Sequence, residues 1–121
     1  MPRVKHSGDI FDRAAQLARK STMLHRHGAI IVHEGEIVAE GYNRLTHYME
    51  HAFSIHAEVD ALNKIKTRGK KFLEECTLIV VRIGTDKQPP SYFKDSKPCE
   101  SCQRAIKNHG IRKVFYSVST N

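Results

Sequence analysis

Apolar positions along this chain recur with two different periods, and the switches between them mark its elements. In "DIFDRAAQLARK", Ile10, Ala14, Leu17 and Ala18 fall on one helical face. Ser7 stands where an N-cap is expected. "GAIIVHEGEIVAEGYN" reads as two strands, about residues 29–32 and 36–40, joined by a short turn at Glu34 and Gly35. The polar, histidine-containing stretch 44–53 is expected to be a loop. Helical spacing returns at Ile55, Val59, Leu62 and Ile65 and ends in the basic turn "KTRGKK". "TLIVVRI" is short, β-branched and almost wholly apolar, the pattern of a buried strand. Residues 84–97 carry Pro89 and Pro90 and read as a long polar loop. A last helix, about residues 99–108, is closed by Gly110, and "RKVFYSV" is the final strand.

The predicted order is α, β, β, α, β, α, β. Alternation at the end implies parallel pairing through right-handed crossovers, whereas the first two strands form a hairpin. The expected class is α/β, a three-layer α/β/α arrangement around one mixed β-sheet. Its 121 residues suit a single domain, 1–121, and they contain no repeat, linker or low-complexity tract.

Composition narrows the chemistry. A 40% apolar and 27% charged content is ordinary for a soluble protein. No apolar run reaches membrane-spanning length, and "MPRVKHSGD" lacks the apolar core of a secretory signal. A membrane partner is therefore not expected, and the cytoplasm or nucleus is the expected location. Three cysteines cannot all pair, so two closely spaced thiols in a reducing compartment suggest metal or redox chemistry. The formal charge of +7 favours anionic partners such as nucleotides or nucleic acid. A solvated basic surface gives the same composition.

Two short stretches carry the candidate site. In "SIHAEVDAL", His56 and Glu58 open a helix; in "KPCESC", Cys99 and Cys102 open another. Cysteines at i and i+3 share a helix face and can reach one metal ion. Alone, the spacing is ambiguous between structural zinc and a redox dithiol. With His56 it makes three zinc ligands and leaves a fourth position open, the pattern of a catalytic site. Predicted helix N-termini favour thiolate over thiol. Zinc lowers the pKa of bound water towards ~7. Glu58, two residues from a ligand in the first turn, is then placed to move protons between that water, a ring nitrogen and a leaving amine.

"HAE" followed by "PCESC" resembles the H-x-E…P-C-x-x-C signature of the zinc-dependent cytidine and deoxycytidylate deaminase superfamily. "GAIIV…GEIVAEGYNR" resembles that superfamily's first two strands and "CQRAIKNHGIRKVFYS" its third helix and fourth strand. The resemblance implies a cytidine deaminase-like fold, zinc held by His56, Cys99 and Cys102, and Glu58 as proton shuttle. Asn43 in "GYNR" matches a substrate-contacting position, and His51 and Ala57 complete the expected substrate-facing set. "ARKSTMLHRHGAIIV" and "GIRKVFYS" are most similar to deoxycytidylate deaminases, so a small nucleotide or nucleoside of the dCMP kind is the expected substrate. Asp60 departs from the asparagine that many nucleotide deaminases place there. The chain also ends where relatives continue into a further strand and helix. A C-terminally short fold is expected to have its cleft completed by a neighbouring chain, as a homo-oligomer.

Two alternatives remain open on sequence. One is a deaminase of single-stranded DNA or RNA, acting on cytosine or tRNA adenosine. The other is a non-catalytic zinc module that binds nucleic acid. Lys64, Lys66, Arg68, Lys70 and Lys71 could follow a phosphate backbone. They lie at the far end of the His56 helix, ~15 Å away at 1.5 Å per residue, and a solvated face explains them equally. Tyr92, Phe93 and Lys94 either stack a base or pin their loop to the core. His25, His27, His33, His47 and His109 read as scattered surface residues, and Cys76 as a small buried hydrophobe.

Overall fold

A computed structural model describes residues 7–48, 51–84 and 93–118. Along the chain come α1 (Ser7–Ala18), β1 (Arg26–His33), β2 (Glu36–Tyr42), β3 (Arg44–Tyr48) and β4 (His51–Ile55). There follow α2 (Ala57–Ile65), a 3-10 turn (Lys66–Arg68), α3 (Lys70–Glu74), β5 (Thr77–Ile83), β6 (Phe93–Lys94), α4 (Glu100–His109) and β7 (Lys113–Tyr116).

β1 is buried continuously from Gly28 to Val32, so both its faces are covered. It pairs antiparallel with β2 on one side and with β5 on the other. β5 carries β7 parallel along Thr77–Val80 and the short β6 antiparallel beyond it. The expected mixed sheet is present, with five strands among the described residues. The β1–β2 turn falls on Glu34 and Gly35, both at positive φ (51° and 78°), which suits a two-residue hairpin connection.

Alternation along β1 sends side chains into two cores. Ile30 and Val32 meet α1 through Ala14, Ala15, Leu17 and Ala18, together with Ile79, Val81 and Ile83 of β5. Ala29 and Ile31 face the other way, onto Ala57, Ala61 and Leu62 of α2 and Ile106 of α4. The molecule is thus a three-layer α/β/α domain. Helix seating is tight at two glycines. A Cβ at Gly28 would lie 2.0 Å from the Ala14 carbonyl oxygen, and one at Gly41 would lie 2.6 Å from the Ala57 carbonyl oxygen and the Ala61 nitrogen. No described helix is long and apolar enough to cross a membrane.

The structure corrects several expectations. Residues 44–53, read as a loop, contain the antiparallel hairpin β3–β4. The stretch was misread because its polar and histidine residues obscured a strand period. The basic turn "KTRGKK" contains the 3-10 turn and opens α3. Gly69, at φ +96°, separates the two. Ser7 is the first helical residue rather than the cap. Within the predicted 84–97 loop, residues 93–94 form β6. Phe93 sets its ring edge-on to Phe11 at 6.4 Å, which pins this arm to the core. Tyr92, Pro89 and Pro90 lie outside the described residues. Cys76 is buried as expected.

α1 is tied to β2 by a bidentate pair. Arg13 donates from Nε to Glu40 Oε2 at 2.6 Å and from Nη2 to Oε1 at 2.8 Å. The Arg13 hydrogen bond holds the Glu40 carboxyl below its ordinary pKa. A depressed carboxylate contributes stability above the unfolded pKa, and that contribution is lost as pH falls through the folded value. Glu40→Gln should lower stability at pH 7 by up to about 1 kcal/mol, as for other partly exposed pairs. Urea unfolding should show variant and wild type converging in acid, and a difference that persists there would contradict this assignment.

Candidate active site

Two helix N-termini deliver the reactive groups. The β3–β4 hairpin leads into His56, which is extended (φ −74°, ψ 151°) and caps α2. Its carbonyl accepts the Asp60 N–H at 2.9 Å, the first bond of the helix. Cys99 is likewise extended and precedes α4, and its carbonyl accepts from the Gln103 N–H at 2.8 Å. Pro98 enforces the extended arrival, and its carbonyl accepts from the Gln103 side chain at 2.8 Å.

The three predicted ligands come together. His56 Nδ1 lies 3.0 Å from Cys102 Sγ and 3.7 Å from Cys99 Sγ. A tetrahedral zinc with Zn–N and Zn–S bonds of ~2.0 and ~2.3 Å has N···S edges of roughly 3.5 Å, so the donor set and spacing fit that ion. His56 and Cys99 reach solvent, whereas Cys102 is buried. The thiols differ accordingly. The backbone N–H of Cys102 lowers the Cys99 pKa, while burial, then the nearby Glu58 charge, raises that of Cys102. A cation between them reverses the second cost.

Glu58 is only 4% exposed. Burial raises its carboxyl pKa, with its own backbone N–H and the neighbouring His56 pulling the other way. It opens onto the cavity of about 330 Å³ that His56 and Cys99 also line. Ala57 is fully buried and contributes to the same wall. Asn43 lines it as well, but both ends of its amide hold backbone. Oδ1 accepts the His27 N–H at 2.8 Å, and Nδ2 donates to the His25 carbonyl at 2.5 Å. His51 opens β4 opposite Tyr48, and its side chain lies outside the description.

Other residues were not assigned site roles from sequence. Asp60, buried in the first turn of α2, accepts from the Tyr42 N–H at 3.2 Å and from Arg44 Nη2 at 2.7 Å. It fastens the helix to the end of β2. Ser96 and Ser117 clasp the arm that leads to Cys99. Ser96 Oγ donates to the Val80 carbonyl at 2.9 Å, and Ser117 Oγ donates to the Lys94 carbonyl at 2.7 Å while accepting the Arg82 N–H at 3.0 Å. His25 and His27, read as surface histidines, both line the cavity. Their period-two placement at the start of β1 was the only sequence signal. His33 and His109 do not line it, and His33 pairs with Glu75 at 3.0 Å.

Fold and candidate metal cluster together define the class of a cytidine deaminase-like domain, and comparison with known proteins shows its family. Residues 5–118 match the cytidine and deoxycytidylate deaminase zinc-binding region, and the chain belongs to that family. It is 33% identical over 91 residues to guanine deaminase of Bacillus subtilis, covering 74% of this chain and 48% of that protein, about half the relative's length. Its fold is similar to that of dCMP deaminase from cyanophage S-TIM5, with a TM-score of 0.68 and 24% identity over 94% of this chain and 83% of the other. It is also similar to cytidine deaminase from Burkholderia pseudomallei, with a TM-score of 0.66 and 15% identity over 97% and 87% of the two chains.

Zinc content after dialysis separates ligands from the glutamate. Glu58→Ala should hold as much zinc as the wild type, whereas Cys99→Ala and His56→Ala should lose it. A Glu58→Ala protein depleted of zinc would instead make the glutamate a ligand.

Proposed function

We propose that this chain is a zinc-dependent hydrolytic deaminase that removes the exocyclic amine of a cytosine-type nucleotide of the dCMP kind. The observation that carries the reading is a buried glutamate two residues from a zinc ligand, opening onto a cavity otherwise free of acidic walls. Among the described lining residues Glu58 is the only carboxylate, while Lys97, His25 and His27 supply basic groups. The volume lies at the lower end of the range for pockets that enclose small ligands. A phosphorylated substrate suits such a wall better than a neutral free base.

His56 Nδ1 and the sulfurs of Cys99 and Cys102 would hold zinc, which when bound would supply the Lewis acidity that makes water a nucleophile near neutral pH. Glu58 does the proton work. Its carboxylate takes one proton from the attacking water and passes it to the ring nitrogen beside the reacting carbon, then takes the remaining proton from the hydroxyl now on that carbon and gives it to the leaving amine. Water is consumed, ammonia departs and the amine-bearing carbon becomes a carbonyl. Burial, by raising the Glu58 pKa, brings its affinity for a proton closer to what both transfers need.

A second reading has its own support, since the guanine deaminase of Bacillus subtilis is 33% identical over 91 residues. A non-catalytic zinc module has less, because a structural site has no use for an unliganded buried carboxylate at Glu58. Mass spectrometry of zinc-loaded protein incubated with dCMP, deoxycytidine, cytosine, guanine, single-stranded DNA and tRNA decides among them. Conversion of dCMP is expected, with Glu58→Ala slower by ~10²–10⁴-fold. Conversion of guanine alone, or of the polymers alone, would replace the proposed substrate, and full activity in Glu58→Ala would overturn the mechanism.

A further inference from the structure

His25, just before β1, and His27, within it, both line the cavity, and in each case the partner fixes the assignment of the ring nitrogens. A guanidinium has no acceptor, and Arg82 Nη2 lies 2.8 Å from His25 Nδ1, so that nitrogen carries the lone pair. A carbonyl oxygen has no proton, and the His25 oxygen lies 3.2 Å from His27 Nδ1, so that nitrogen carries the hydrogen. His27 Nε2 is left as an acceptor. No partner for it occurs among the described residues, although the residue lines the cavity and is half-buried.

The backbone around this ring is held from several directions. Asn43 accepts the His27 N–H at 2.8 Å, its own N–H bonds the His27 carbonyl at 3.3 Å, and its amide donates to the same His25 carbonyl that receives the ring. The acceptor is therefore fixed before any ligand arrives, which limits the ordering cost of using it. Burial lowers the ring's pKa, with the nearby Arg82 adding to the shift and the His25 carbonyl opposing it.

We infer that His27 is a specificity-determining residue whose Nε2 accepts a hydrogen bond from an N–H or O–H of the substrate. The inference deepens the deaminase reading and rests on it for the identity of the ligand. For a cytosine-type nucleotide the donor is a sugar hydroxyl, because the reacting amine is that base's only N–H group; for guanine it would be a ring N–H. A wall built to receive a donor penalises analogues that lack it, because the acceptor is then left unpaired.

The test uses zinc-loaded Glu58→Gln protein, in which binding is read without turnover. Dissociation constants are measured for dCMP, 3′-deoxy-dCMP and guanine, with and without His27→Leu and His27→Gln. Long-range ¹H–¹⁵N NMR assigns the imidazole tautomers, and thermal melts confirm folding. We expect His27 Nε2 to be unprotonated. His27→Leu should weaken binding roughly 10- to 100-fold with zinc retained, and His27→Gln, which keeps an acceptor oxygen, should restore most of it. If 3′-deoxy-dCMP already binds weakly and His27→Leu adds nothing, the donor is the sugar hydroxyl. If the penalty persists with that analogue, the sugar hydroxyl is not the donor and the inference fails for a cytosine-type nucleotide; a penalty confined to guanine would assign the donor to a ring N–H of that base. A protonated Nε2, unchanged affinity in His27→Leu, or no binding by any compound would overturn the inference. Binding without turnover by the Glu58-containing protein would overturn the deaminase reading alone.

Discussion

The N-terminal turn of α2 sits on β2 with no room for a methyl group between them. At Gly41 a Cβ would lie 2.6 Å from the backbone of both Ala57 and Ala61, so the helix is seated directly on the strand. Asp60 completes the attachment by accepting the Tyr42 N–H and the Arg44 guanidinium. This contact sets the position of everything chemical on α2. His56 stands immediately before it and Glu58 within it, so a displaced helix would carry ligand and proton carrier away together. Sub-ångström placement matters at such sites, and a packed backbone gives less slack than a side chain would.

Electrostatics then distributes roles among neighbours of similar chemistry. Cys99, in reach of the α4 backbone N–H groups, is pulled towards thiolate, whereas buried Cys102 is pushed towards thiol. Glu58 is held towards its acid form by burial. Without a cation, the interior of the site opposes negative charge; with a divalent ion between the sulfurs that opposition is relieved. Metal capture and site ionisation are one linked process here. Lys97 adds a positive charge to the lining of the same cavity.

Sequence alone pointed to the residues that cluster at the candidate centre and stopped short of the cavity walls around them. His56, Glu58, Cys99 and Cys102 were legible because metal chemistry restricts residue type and spacing together, and the two motifs sit at helix starts that apolar periodicity locates. Gly110, at φ +110°, was legible as a helix stop for the same local reason. The hairpin β3–β4 was not, because its polar and histidine residues do not alternate with apolar ones at a strand's period of two. His25 and His27 were also missed. Their roles arise from the Arg82 side chain and a backbone carbonyl, partners separated from the ring by tertiary folding or by geometry that no spacing encodes. Asp60 stood out in sequence only as a departure, and its function became visible once Tyr42 and Arg44 were placed beside it.

The serine clasp links two parts of the chain that are otherwise unrelated. Ser117 follows the last strand, and Ser96 lies three residues before Cys99; the Ser96 N–H bonds the Ser117 carbonyl at 2.9 Å, and the Ser117 N–H bonds the Val80 carbonyl at 3.0 Å. Peeling β7 from the sheet edge would therefore release the arm bearing Cys99 in the same motion. The placement of Cys99 is thus coupled to fraying of the C-terminal strand, so an ion held there would owe its durability to the sheet margin as well as to its ligands.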